Sequence, residues 1–141
     1  TARPSSATAL GPAEFGTRLL GWMNLRRARH GCHQFRPDAA LALAAARHND
    51  AMWEQNQLSH RLAGEADLGA RISAAGYLRW RRLAENLAWG QTSPRAVFRA
   101  WVQSPGHRAN LDDCRLRDVG IAVAFQGGRP WVTTDFGRHH R

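Results

Sequence analysis

The chain has 141 residues, enough for one domain with a hydrophobic core and too few for a second domain of ordinary size. Its apolar content of 43% is typical of globular proteins, and no run approaches the roughly 18 consecutive apolar residues of a membrane-spanning helix. All 20 basic residues are Arg, and the net charge of +9 favours nonspecific contact with polyanions; no zinc finger or RNA-recognition motif indicates a specific nucleic-acid site.

The start of the chain predicts a flexible lead-in followed by a helix. Residues 1–12 have no hydrophobic periodicity, and because the chain begins at Thr1 rather than Met we expect a processed or trimmed N-terminus, from which any signal peptide is already gone. Residues 13–29 carry apolar side chains at helical spacing, namely Phe15, Leu19, Trp22 and Met23. His30-Gly31 is predicted to end this helix, because Gly is common just past a helix C-terminus.

A second helix is predicted to begin after Asp38, whose side chain suits the N-cap position. Its apolar stripe contains Leu41, Ala44, Ala45, His48 and Met52. His48 on this stripe is interpreted as a core histidine with satisfied hydrogen bonds. A polar loop follows over residues 54–64, then a short helix over 67–75 and a basic connection over 77–83.

The second half of the chain changes from helical to strand periodicity. Residues 84–90 predict a short strand, and Ser93-Pro94 predicts a helix that ends at Ser104. Residues 119–125 and 131–136 alternate as two strands of a hairpin with its turn at 126–129, and residues 137–141 predict a polar, frayed tail. Helices followed by a hairpin indicate an α+β or layered α/β/α domain.

The chain has two cysteines, Cys32 and Cys114, that lie far apart in sequence. Neither belongs to a CxxC pair, and two isolated cysteines cannot form a metal site alone. In an exported protein they would form a disulfide that closes a long loop, whereas in a cytosolic protein they would be two buried free thiols.

Three segments together resemble the bacterial branch of the CAP (SCP-like) superfamily, which groups cysteine-rich secretory proteins, venom antigens and plant pathogenesis-related proteins. They are Leu-Ser-His at residues 58–60, Ala-Glu-Asn-Leu-Ala-Trp-Gly at 84–90, and Trp-Val-Gln-Ser-Pro-Gly-His-Arg-Ala-Asn-Leu at 101–111. The resemblance extends over residues 14–137. It implies a three-layer α-β-α sandwich with a central cleft, formed by a domain at 13–137 between the lead-in and a polar tail at 138–141.

The resemblance also implies a site. In the family two His and two Glu face each other across the cleft and in some members hold a divalent metal. His60, His107 and Glu85 match three of them, and Ser104 stands at the position of the second Glu. The expected cleft is therefore His60, Glu85, His107 and Ser104, and the first three are candidate ligands for Zn²⁺ or another divalent cation. The alternative is a polar network in which both histidines hydrogen-bond to Glu85.

The resemblance favours a Cys32–Cys114 disulfide and a secreted protein, extracellular or periplasmic, which we expect to be monomeric. Its leading functional interpretation is a binding module for an extracellular peptide, glycan or lipid rather than an enzyme. The alternative is a metal-dependent peptidase or nuclease that uses His60, Glu85 and His107. Ser59 and Ser104 lack the nucleophile elbow of a serine hydrolase. The absence of a second acid at Ser104 weakens the hydrolase hypothesis, because general acid–base chemistry usually needs two titrating partners.

Overall fold

The helical and alternating apolar patterns fold into five helices and one four-stranded sheet within residues 10–140, the part of the chain that this computed structural model describes. In chain order the elements are α1 (Pro12–Arg29), β1 (Arg36–Pro37), α2 (Ala39–Gln55), α3 (Leu68–Ala74), β2 (Trp80–Trp89), α4 (Pro94–Gln103), α5 (Pro105–Leu111), β3 (Asp118–Gln126) and β4 (Arg129–His139). Most of the predicted lead-in, residues 1–9, lies outside the described residues.

Side-chain caps explain where three of the helices begin. Asp38 accepts a hydrogen bond from the Leu41 amide, as predicted for the start of α2. The Asp67 carboxylate caps α3, and the Ser93 hydroxyl caps α4 ahead of its first-turn proline. Each cap satisfies one backbone N–H that the helix itself leaves without a partner.

The sheet has the strand order β1-β3-β4-β2. Strands β3 and β4 form the predicted hairpin, whose turn places Gly127 and Gly128 at positive φ angles of 58° and 77°. Both angles suit a turn that matches the twist of the two strands. Strand β2 pairs antiparallel with β4 and is one edge of the sheet, and the two-residue β1 pairs parallel with β3 at the other edge.

Two local predictions are wrong, and two elements were not predicted. Strand β2 begins at Trp80, so most of the predicted basic connection is strand; its two consecutive arginines, Arg81 and Arg82, are tolerated because β2 is an edge strand. Strand β4 continues to His139, so the predicted tail from residue 137 is partly sheet. The chain also forms α5 directly after the extended residue Ser104, because a proline at the first helical position restarts a helix. Strand β1 was not predicted, since two residues carry no periodicity.

Helices cover both faces of the sheet, which confirms the three-layer α-β-α sandwich. Helices α1, α4 and α5 pack on one face around a core of Phe15, Leu19, Met23, Val97, Trp101, Leu111, Val132 and Phe136. Helices α2 and α3 cover the other face, with Leu41, Ala44, Met52, Ile72, Leu87 and Trp131 between the layers. None of the helices within residues 10–140 has the length and apolarity that crossing a membrane requires.

Cys32 and Cys114 form the expected disulfide, with their Cα atoms 4.9 Å apart. The bond joins the loop after α1 to the segment between α5 and β3, 82 residues further along the chain. It therefore fixes the helical layer of α1 and α5 to the β1 edge of the sheet, where the loop after α1 enters β1.

Candidate functional site

Glu85 occupies the centre of the site. It lies on the edge strand β2, and only 6% of the residue is exposed. Arg71 of α3 donates to both carboxylate oxygens in three contacts of 3.1–3.2 Å. His60 Nδ1 donates to Glu85 Oε1 at 2.8 Å. Because a buried carboxylate needs charged and hydrogen-bonded partners, Arg71 and His60 are the groups that make this position tolerable.

His60 lies in the loop between α2 and α3, and its side chain is 61% exposed. Arg71 holds this loop in place by donating to the His60 carbonyl oxygen at 3.0 Å. Since Nδ1 of the ring is engaged by Glu85, the other ring nitrogen, Nε2, points away from the carboxylate. Within residues 10–140 no protein group hydrogen-bonds to that Nε2, so it is available to a ligand.

His48 and Glu65 support the site from beneath. The fully buried His48 ring contacts Glu65 Oε2 at 2.7 Å and the Ser59 carbonyl at 2.8 Å, which confirms it as a satisfied core histidine. Its Nε2 also lies 3.8 Å from Glu85 Oε1. His48 thus joins α2, the His60 loop and Glu85 in one buried polar network.

Asp135 of β4 is the neighbour of Glu85 across the sheet. It is fully buried, and neither of its oxygens has an N–H or O–H donor among residues 10–140. Burial and the adjacent Glu85 raise the pKa of Asp135 well above its usual value. Asp135 therefore keeps its proton to a higher pH than an exposed aspartic acid does.

Glu85 shows the opposite shift. Burial alone would raise its pKa, but the hydrogen bond from His60, the neighbouring Asp135 carboxyl, the charge of His48 and the hydrogen bonds from Arg71 outweigh burial and lower the pKa to about 2. The pKa values of the two adjacent carboxyl groups are thus pushed apart, that of Glu85 downward and that of Asp135 upward.

His107 and Ser104 approach the same strand from the opposite helical layer. Ser104 ends α4 and precedes α5, and its hydroxyl contacts His107 Nδ1 at 2.8 Å. Asn86, the residue after Glu85, donates to the His107 carbonyl at 3.2 Å, and Asn110 donates to the Asn86 side chain at 2.9 Å. Two consecutive residues of β2, whose side chains point to opposite faces of the sheet, therefore position one histidine from each layer.

Burial and the charge of His60 lower the pKa of His107. The charge of His60 thus acts on His107, although the two histidines come from opposite layers. Burial favours the neutral form of His107, and Ser104 engages its Nδ1, so its Nε2 is also left without a protein partner within residues 10–140.

The predicted trio is thus divided into different roles. Glu85 hydrogen-bonds to His60 but not to His107, so only half of the expected polar network forms. Because Arg71 covers the Glu85 carboxylate, the two Nε2 atoms are the ring nitrogens of His60 and His107 that remain available to bind a ligand. Among the described residues, no group of three or more His, Cys, Asp and Glu has the arrangement of a metal site.

Sequence reasoning missed three residues of this site: Arg71, Glu65 and Asp135. One signal for Arg71 was present, since it falls between Leu68 and Ile72 on the inward stripe of α3, where a charged side chain requires a buried partner. Asp135 interrupts the apolar alternation of β4, but its pairing with Glu85 depends on strand register. Glu65 lies in a loop and carried no signal.

Comparison with known proteins assigns the chain to a family. Residues 20–136 match the family model described as CAP, the cysteine-rich secretory protein family. The uncharacterized protein YkwD of Bacillus subtilis (strain 168) is 24% identical over 138 residues, which cover 98% of this chain and 51% of YkwD. The chain therefore spans about half the length of this relative.

Two solved structures share the fold. An extracellular protein containing a SCP domain from Bacillus anthracis superimposes with a TM-score of 0.80 at 24% identity, covering 92% of this chain and 44% of that one. An outer surface protein from Borrelia burgdorferi superimposes with a TM-score of 0.81 at 20% identity, covering 88% of this chain and 92% of that one. At these identities the likeness concerns the fold alone.

Proposed function

The chain belongs to the CAP family of cysteine-rich secretory proteins, and on that premise we propose that it is an extracellular binding module whose cleft holds its ligand at His60 and His107. The disulfide supports the extracellular assignment, because such bonds persist in oxidising compartments. The two structural neighbours described above are an extracellular and an outer-surface protein. The ligand is a peptide, glycan or lipid. Its hydroxyl or N–H group donates to a free Nε2 atom, or its oxygen completes the coordination of a cation that the histidine pair holds.

One observation carries this proposal: both imidazoles have Nδ1 engaged by a neighbouring side chain and Nε2 left free. The partner of His60 is Glu85 at 2.8 Å, and the partner of His107 is Ser104 at 2.8 Å. The Glu85 carboxylate only accepts, so His60 donates from Nδ1 and keeps the lone pair of Nε2 free, while the Ser104 hydroxyl fixes the orientation of the His107 ring. The rings are thus held in a binding-competent form before any ligand arrives.

The donor set fits the divalent cation that the family resemblance implies. Two imidazoles suit Zn²⁺, and Glu85 and Ser104 would orient the ligating rings from behind. A bound cation would supply a Lewis acid to which an oxygen of the ligand attaches. Because the protein offers two ligands rather than three or four, the extracellular ligand or water would complete the coordination, which favours reversible binding over a permanent structural site.

The hydrolase alternative is the weaker one because the site has no carboxyl group ready for proton transfer. Glu85, with its pKa lowered to about 2, stays ionised, and Arg71 covers it. Asp135 has a raised pKa but is fully buried, so it cannot contact a substrate. Any acid–base chemistry would fall to the two histidines alone.

Zinc titration calorimetry on three proteins tests the proposal. The wild type is compared with His60→Ala/His107→Ala and with His30→Ala/His33→Ala, a control that removes two exposed histidines outside the cleft. We expect saturable zinc binding in the wild type and the control, and its loss in the cleft variant. Equal zinc binding by all three proteins would contradict the proposal.

The same three proteins are assayed for peptidase, esterase and nuclease turnover with and without zinc. No turnover in any of them is the result expected of a binding module. Zinc-dependent turnover that the wild type and the control share and that the cleft variant lacks would replace the binding module with the hydrolase.

A further inference from the structure

A second polar cavity lies at the opposite edge of the sheet from the histidine cleft. It has a volume of about 250 Å³ and is lined by His33, Gln34, Arg36 and Arg117. Two of these residues lie in the loop between the disulfide and β1, one in β1, and the last immediately precedes β3. All four side chains can donate N–H hydrogen bonds, and none of them is a carboxylate. The cavity is therefore rich in donors and holds no negative charge of its own.

Among residues 10–140, Arg117 has no acidic partner. No carboxylate of residues 10–140 lies within 4.0 Å of its guanidinium, and its Nε is buried without a hydrogen-bond acceptor. A buried guanidinium N–H that lacks an acceptor costs free energy, so an acceptor that enters the cavity gains more there than at the protein surface.

Arg36 supplies a second guanidinium with spare donors. Its Nε and one terminal nitrogen contact Asp118 Oδ1 at 3.2 Å, and its side chain is 78% exposed. The Tyr77 hydroxyl donates to the other oxygen of Asp118 at 2.7 Å, and His139 Nε2 lies 3.9 Å from it. Asp118 is thus already shared by several donors, and the second terminal nitrogen of Arg36 has no acceptor within residues 10–140.

A third cation lies behind the cavity. Arg27 is fully buried, and its guanidinium donates to four backbone carbonyls, those of His33, Leu111, Asp113 and Leu116, rather than to a carboxylate. Burial lowers the pKa of Arg27 to about 10, with the charge of Asp113 acting against this shift and that of Arg117 contributing to it. The two guanidinium groups therefore repel each other, and an anion beside Arg117 would relieve that repulsion.

We propose that the cavity lined by His33, Gln34, Arg36 and Arg117 is a binding site for a phosphate group, held between the guanidinium groups of Arg36 and Arg117. Planar guanidinium groups match the oxygen pairs of a tetrahedral oxyanion, and the cavity has room for one such group with part of an attached ester. The phosphate group comes either from free inorganic phosphate or from a phosphate monoester on a larger extracellular molecule.

NMR titration of the ¹⁵N-labelled chain tests this site, because the Nε–H signal of Arg117 reports directly on an acceptor. Inorganic phosphate and glycerol 3-phosphate are added separately at a constant ionic strength of about 0.15 M. We expect saturable shifts of the Arg117 signal. Saturation by inorganic phosphate at equal or lower concentration indicates a free-ion site, and tighter binding of glycerol 3-phosphate indicates a monoester site.

Three variants provide the controls. Arg117→Gln removes the buried donor, and Arg36→Gln removes an exposed one, so the second tests the site even where the first fails to fold. Arg81→Gln removes the same charge from an exposed position on β2, far from the cavity. We expect Arg36→Gln and Arg117→Gln to weaken phosphate binding at least about tenfold and Arg81→Gln to leave it nearly unchanged. No saturable shift in the wild type, or equal loss in Arg36→Gln and Arg81→Gln, would overturn the site.

Discussion

Substitution of Arg71 by Met is the most direct test of how the histidine cleft is built. The Arg71 side chain is 8% exposed, and that of Glu85 is 2% exposed. Arg71→Met removes three contacts to Glu85 and the hydrogen bond to the His60 carbonyl, while it keeps most of the side-chain volume. Glu85 is then left as a buried carboxylate with His60 as its remaining hydrogen-bond donor within residues 10–140.

Breaking a buried ion pair from one side typically costs about 3–5 kcal/mol. An unfolding entropy of about 2.1 cal/mol/K per residue gives about 0.3 kcal/mol/K for 141 residues, so the melting temperature should fall by about 10–17 °C. The His60 loop should also loosen, because it loses its anchor on α3. Zinc affinity should therefore fall together with stability.

A double-mutant cycle separates the ion pair from the loss of packing. Free energies of unfolding are measured by urea denaturation, followed by circular dichroism, for Arg71→Met, Glu85→Gln and the double variant. Because Glu85→Gln removes the charge that Arg71 neutralises, the double variant should be more stable than the sum of the single effects by about 2 kcal/mol or more. A loss below about 1 kcal/mol for Arg71→Met, or additive effects, would refute the proposed role of Arg71.

Three further predictions concern Gly120 in the sheet, the buried acid Asp135, and Ser104, which stands at the position of the family's second Glu. A Cβ at Gly120 would overlap backbone atoms of Leu41 and Ala42 in α2, so Gly120→Ala should lower the free energy of unfolding by about 3 kcal/mol or more, as measured by urea denaturation. Gly21 has open space around it, so Gly21→Ala should not lower the free energy of unfolding. Because the pKa of Asp135 is raised in the folded state, the native protein keeps a proton that the unfolded chain releases above about pH 4. The free energy of unfolding should therefore fall as the pH rises from about 4. Asp135→Asn should abolish this fall, as measured by urea denaturation at several pH values. Ser104→Glu should place a carboxylate at His107 Nδ1 and tighten zinc binding about 10-fold or more by calorimetry; unchanged affinity would contradict this role of the ring's Nδ1 partner.

The layered fold could be predicted from the sequence because its signals are local. Asp38 and Ser93-Pro94 mark helix starts through short-range hydrogen bonds, and the alternation over residues 119–136 specifies a hairpin. The errors fall where pairing overrides local pattern. Arg81 and Arg82 look like a basic connection in isolation but extend β2 as an edge strand, and only the register with β4 determines this.

The site was predicted in part for the same reason. His60, Glu85 and His107 were identified through their motifs, which are contiguous in sequence. The partners that set their protonation are not: Arg71 comes from another helix, and Asp135 faces Glu85 through strand register. Periodicity places a residue on a face but does not determine which residue of another element it meets. The network beneath the cleft therefore became visible only in three dimensions.

The two histidines differ in the side chain that contacts their Nδ1 atom, and this difference determines what the cleft can do. A carboxylate at Nδ1 strengthens the opposite nitrogen of His60 as a donor, whereas the Ser104 hydroxyl does so less for His107. His107 is also held toward its neutral form by burial and by His60. A cation entering the cleft would therefore find one strong and one weaker imidazole. Arg71 covers Glu85, and Asp135 is buried. The pair of His60 and His107 is therefore better suited to binding a ligand oxygen through a cation than to general acid–base catalysis.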